Sequence, residues 1–147
     1  MKKIYSCRHV PNAVSLDKND LHQVHKLWNM FNGTSLSEEC FLEKILNQKY
    51  ELILALAGDD IVGFVLCELI SSPLRNSAYL EIWAIYVSDA HQRKGVGRIL
   101  LEEVKNFAKS LGCSDIHVSS DSKPSVVDFY RSCGYHSYAV RMRKEIL

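Results

Sequence analysis

The chain has 147 residues, a formal net charge of +1 and an apolar content of 47%. That is enough chain to bury a real core, and too little net charge to recruit nucleic acid or a membrane surface through a global field, so neither is expected as a partner. No apolar run is long enough to span a bilayer.

The N-terminal MKKIYSCRHVPN lacks the apolar core of a signal peptide. The five cysteines, Cys7, Cys40, Cys67, Cys113 and Cys133, are odd in number, scattered and free of any C-x-x-C. They suit reduced thiols in a cytoplasm rather than a disulfide framework or a zinc site. No repeat, low-complexity tract or linker divides the chain, so residues 1–147 are read as one domain.

In chain order, KKIYSCRHV (2–10) reads as a strand ended by Pro11. Asp17 to Phe31 reads as a helix, with Leu21, Val24, Trp28 and Phe31 on one face and Gly33 at its end. His22 and His25 lie three apart on it, but no third metal ligand is evident, so a packing or solvated role is expected. Ser35 or Ser37 caps a second helix; Ser35 with Glu38 matches a capping box. Phe41, Leu42, Ile45 and Leu46 form its apolar face, and Asn47 is expected to end it.

YELILALA (50–57) and IVGFVLCELI (61–70), joined by Gly58-Asp59-Asp60, read as a β-hairpin. Turn chemistry explains the paired aspartates, so no catalysis is assigned to them. AYLEIWAIYV (78–87) is the next strand. A polar loop with two glycines follows, then a helix with Val96, Ile99, Leu100, Val104, Phe107 and Leu111 on one face. Gly112 ends that helix, and DIHVSS (115–120) reads as a short buried strand. Strand, helix and strand make a βαβ unit with parallel strands. Ser125 is expected to cap a short helix that Gly134 stops, and HSYAVRMRKEIL (136–147) alternates like a strand.

The glycine loop carries the functional signal. A glycine-rich entry to a helix N-terminus offers unpaired N–H groups to phosphate. A P-loop is excluded, because Lys94 precedes the first glycine. The dinucleotide fingerprint survives only as a fragment, since position 100 is Leu. The pattern Q/R-x-x-G-x-G/A is met in full by Gln92-Arg93-Lys94-Gly95-Val96-Gly97. An ordinary strand-to-helix turn is the bland alternative.

That hexapeptide resembles motif A of the GNAT superfamily of N-acetyltransferases. Phe129-Tyr130-Arg131-Ser132-Cys133-Gly134-Tyr135 is similar to the family's F-Y-x-x-x-G-F/Y, and the elements occur in the family's order. The resemblance implies an α/β fold of mixed sheet, with about six to seven strands flanked by about four helices. It implies direct transfer of acetyl from acetyl-CoA to a primary amine of a small molecule or peptide, without a metal. A protein acetyltransferase and a non-catalytic acyl-CoA-binding module are the alternatives.

The resemblance puts Ile85, Val87, Gln92, Arg93, Lys94, Gly95, Val96, Gly97 and Arg98 on the cofactor. It assigns the oxyanion donor to the Val87 N–H. Tyr130 takes the position of the general acid. Glu81, or a chain of waters, is the base. Glu81 lies six residues before Val87, so period two puts both side chains on one sheet face, roughly 20 Å apart. In the polyamine and aminoglycoside branches the comparable Glu lies where this chain has Trp83.

The family's N-x-x-A is also missing: Lys123 and Val126 stand there, and Lys123 either approaches a CoA phosphate or faces water. The short C-terminal region points to a second subunit, a homodimer, as the source of one substrate wall. Cys113 and Cys133 are read as packing residues. His91, beside the loop, is a weak candidate for a phosphate contact.

Overall fold

The computed structural model describes residues 4–11, 16–33, 35–46 and 49–146. In chain order these form β1 (Tyr5–Val10), α1 (Lys18–Asn32), α2 (Glu38–Leu46), β2 (Tyr50–Ala57), β3 (Asp60–Ile70), β4 (Tyr79–Val87), α3 (Val96–Ser110), β5 (Ile116–Val118) and α4 (Pro124–Ser132). One sheet runs β1-β2-β3-β4-β5. Its first three pairings are antiparallel. The β4–β5 pairing is parallel, as the βαβ reading requires.

The central strands are buried on both faces, which is why they read as continuous apolar runs. Ile53, Val65 and Ile82 face α3 and α4; Leu54, Phe64 and Ala84 face α1 and α2. The sheet is thus the middle of three layers. The Asp17 side chain caps α1 by accepting from the Asp20 N–H at 2.7 Å, and left-handed Gly33 (φ 61°) closes it.

Several expectations change. Of the two candidate caps of α2, Ser37 is the one that serves, accepting from the Cys40 N–H at 3.2 Å, in place of the Ser35–Glu38 capping box. Asn47 lies outside the described residues. α4 starts one residue before Ser125, with Pro124 in its first turn and no side-chain cap. β5 is three residues long rather than six.

The sheet has five strands among the described residues, because residues 135–146 form none. The alternation there is real, but it meets no neighbouring strand, so Tyr138, Val140, Met142 and Ile146 stand exposed, Met142 at 94%. Periodicity marks a segment able to pair; it does not supply the partner.

Candidate active site

The site begins where two strands part. β4 and β5 pair only from Leu80–Ile82 to Ile116–Val118. Beyond Ile82 this edge of β4 pairs with no strand among the described residues. The Ser88 N–H donates to the Val62 carbonyl at 2.8 Å, on the β3 side. Antiparallel alternation therefore turns the N–H groups of Ile85 and Val87 away from β3, into the gap. The Val87 carbonyl is already taken by the Gln92 side chain, which donates to it at 2.9 Å.

The glycine loop closes the end of this gap. A one-turn 3-10 helix, Asp89–His91, leads into it. Arg93 (φ 57°) and Gly95 (φ 83°) are both left-handed, a conformation in which successive amides turn toward a concavity suited to an anion. Gly95 caps α3 without a side chain, so the first-turn amides lack intrahelical acceptors and sit at the positive end of the helix dipole. Gly97 is required for a different reason: a Cβ there would lie 3.0 Å from Cζ of Phe129. The two sequence motifs thus pack directly on each other.

Gap and loop together form one cavity of about 970 Å³. Ile85, Val87, Gln92, Arg93, Gly95, Val96, Gly97, Arg98 and Tyr130 line it; Lys94, Lys123 and Glu81 do not. The Arg98 guanidinium donates to the carbonyl and hydroxyl oxygens of Ser132, at 3.2 and 3.0 Å, and so ties α3 to the end of α4. His91 lines the cavity with its Nδ1 3.1 Å from the Tyr5 hydroxyl.

Tyr130 is 8% exposed, wedged between the α3 face of the core and the cavity. Its ring meets Tyr135 edge-on at 5.6 Å. Burial, with Cys133 nearby, pushes its hydroxyl up to about 12, so it keeps its proton at neutral pH.

Glu81 overturns one expectation. β4 carries a β-bulge: Leu66 pairs Ala84 while Cys67 pairs Ile82, leaving Trp83 without a partner. The bulge resets the period-two alternation. Leu80 and Ile82 face α3, and so do Ile85 and Val87 beyond the bulge. Glu81 therefore faces the α1–α2 side, opposite Val87.

There Glu81 lies directly across from Glu68 on one side and His117 on the other. Burial raises the Glu81 carboxyl above its ordinary range; His117 and Arg141 pull it down and Glu68 pushes it up. His117 Nδ1 is 4.0 Å from Glu81, and its Nε2 lies 2.7 Å from Asp115. Tyr79 stacks on the imidazole at 3.9 Å. The sequence reading passed over His117. Its position between apolar Ile116 and Val118 in a strand parallel to β4 was the available signal.

His22 and His25 lie against Glu38, with Nδ1 at 2.6 and 3.9 Å. His25 also meets the Leu36 carbonyl. Among the described residues no group of three His, Cys, Asp or Glu could hold a metal. Burial lifts the Cys7 thiol to about 11 and raises Cys113 as well. Such thiols are packing groups rather than nucleophiles at neutral pH. No described helix is long and apolar enough to cross a membrane.

A mixed sheet whose strands part over a glycine-capped helix N-terminus makes a cleft suited to a phosphate-bearing ligand, and the comparisons place the chain in a family. The family model for the acetyltransferase (GNAT) family matches residues 19–135, and the chain belongs to that family, which uses acetyl-CoA as a substrate. A curated relative, N-acetyltransferase family 8 member 2 of Rattus norvegicus, is 24% identical over 106 residues, covering 69% of this chain. The chain spans about half of that protein, 47% of its length.

Among solved structures, an aminoglycoside acetyltransferase from an uncultured soil metagenomic sample superposes with a TM-score of 0.79 at 22% identity, covering 97% of both chains. Glucosamine-6-phosphate N-acetyltransferase of Arabidopsis thaliana gives 0.77 at 16% identity, covering 97% of this chain and 99% of that one. A GNAT family acetyltransferase of Staphylococcus aureus gives 0.77 at 25% identity, covering 97% and 98%.

Proposed function

We propose that the protein transfers the acetyl group of acetyl-CoA directly to a primary amine, through a complex holding both substrates at once. The observation that carries this reading is the single cavity that joins an anion-binding helix N-terminus to two inward-turned strand amides and a protonated tyrosine. The glycine-loop amides take the pyrophosphate, with Arg93 lining the same cavity. The amides of Ile85 and Val87 hold the pantetheine arm and the thioester oxygen, and stabilise the oxyanion as the amine adds. Tyr130 gives its proton to the departing thiolate.

Glu81 takes the proton of the attacking ammonium. It stands four residues before Ile85, roughly 13 Å of strand, so the transfer runs through water. Lys94 and Lys123 contribute long-range charge rather than contacts within the cleft. All five thiols are free, which fits a reducing, cytoplasmic setting. A homodimer remains part of the proposal, because residues 138–146 present an exposed alternating strip that a second copy can cover.

The test starts with the thermal unfolding midpoint with and without acetyl-CoA. A ligand at 100 times its dissociation constant adds about 2.7 kcal/mol. A clear shift, larger than with AMP or free phosphate, is expected; none at millimolar acetyl-CoA overturns the reading. Tyr130→Phe is then expected to slow CoA release by about 10²-fold or more with the acetyl-CoA shift retained. Full activity in that variant removes the general-acid role.

A further inference from the structure

We infer that the acceptor is a cationic amine carried on an apolar, flat body, an arylalkylamine in chemical class, rather than a sugar phosphate or a polyhydroxylated amine. This rests on the acetyl-transfer reading and specifies the other half of the same cleft.

The two ends of the cavity differ in chemistry. Arg93 and Arg98 are its cationic lining among the described residues, and both belong to the loop or the first turn of α3. At the α1 side the lining is aromatic: Phe31, Trp83 and Tyr86. Phe31 and Tyr86 approach to 6.1 Å between ring centroids. Trp83 is 46% exposed because the bulge leaves it outside the β3–β4 register. A strand without that bulge would put a regular, paired residue there.

The polar ends of two of these aromatics are occupied. The Trp83 indole N–H donates to Glu68 at 2.9 Å, and the Tyr86 hydroxyl donates to Asp89 at 3.3 Å. With those donors engaged, the rings present their apolar faces to a body lying in front of them. The carboxylates behind the rings favour a cation in front of them and disfavour a phosphate. Glu81, across from Glu68 on the same face, adds a third carboxyl.

The nearby cations do not reverse this sign. Arg75 pairs with Asp115 at 2.6 Å, His117 lies against Asp115, and Arg141 acts on Glu81, which leaves Glu68 and Asp89 behind the rings. An ammonium on a flat apolar body therefore finds rings for the body and carboxyls for the charge.

The test uses the full chain and three amines, phenethylamine, glucosamine 6-phosphate and kanamycin, with CoA release as the readout. Phenethylamine is expected to show a kcat/KM at least tenfold above the other two. Trp83→Ala is expected to raise its KM about tenfold, with the acetyl-CoA thermal shift unchanged. Preference for glucosamine 6-phosphate or kanamycin overturns the proposal, and so does an unchanged KM in Trp83→Ala. If no amine turns over, the thermal midpoint of the CoA-loaded protein decides: a further rise with phenethylamine supports the site, and no rise overturns it. A missing acetyl-CoA shift instead sinks the acetyl-transfer reading itself, so the two failures are distinct.

Discussion

Glu81 carries two opposing demands in one carboxyl. Burial and Glu68 raise its pKa, while His117 and Arg141 hold it down. As a base it must be ionised, so activity falls as pH drops through the raised pKa. The acid limb of kcat/KM is expected above the ordinary carboxylate range. His117→Gln removes one lowering charge and should move that limb further up, which a pH–rate profile measures. Stability has the opposite sign. A group whose folded pKa is raised contributes stability fully below its unfolded pKa and loses it as pH rises through the folded one. Ionised Glu81 is thus a cost at neutral pH. Glu81→Gln should unfold at or above the wild-type midpoint while turning over at least tenfold more slowly. A fall in midpoint contradicts the account.

Among the elements, the glycine loop and α4 act as one unit. Gly97 leaves room for Phe129, and Arg98 ties α3 to Ser132. Gly97→Ala must displace the Phe129 ring, and so disturbs Tyr130 next to it. Gly95→Ala forces a side chain into the left-handed region, costing roughly 1–2 kcal/mol. It should weaken acetyl-CoA binding by about tenfold, read from the ligand-induced thermal shift. Gly63→Ala acts elsewhere. Its Cβ would meet the Tyr86 carbonyl at 2.9 Å, so it pushes β4 off β3 and should lower the midpoint as an overpacked core does, by about 1–3 kcal/mol.

The loop and α3 were legible in the sequence because glycine spacing and helical periodicity are local signals. The bulge at Trp83 was not. EIWAIYV reads as regular alternation, and only the β3 register reveals the extra residue. With the bulge unseen, Glu81 falls on the wrong face and the aromatic end of the cleft goes unnoticed. Arg98 shows the same limit. Its charge suggested phosphate, but its partner lies 34 residues on, in Ser132, and contacts of that range leave no trace in spacing.

For the whole molecule, the order of elements fixed the three layers, since each helix had one apolar stripe and the central strands were apolar on both faces. The number of strands was over-read by counting residues 136–147; the alternation there is unanswered among the described residues. If a second copy answers it, light scattering should report a dimer. Removing residues 138–147 should then yield a monomer with the acetyl-CoA shift retained. A monomeric 147-residue chain refutes the dimer. The core itself should tolerate no such loss: Phe41, 1% exposed on the buried face of α2, is expected to cost about 3–5 kcal/mol on truncation to Ala.

The parting of β4 and β5 makes the sheet unfinished at its functional end. Among the described residues the backbone donors at Ile85 and Val87 have no strand to receive them, so this segment should exchange its amide hydrogens faster than β2 or β3 when the cleft is empty. A pantetheine arm running along the gap would take the place of the missing strand. Occupancy should therefore be recorded as slowed deuterium uptake in β4, with the cofactor acting as a removable piece of the sheet.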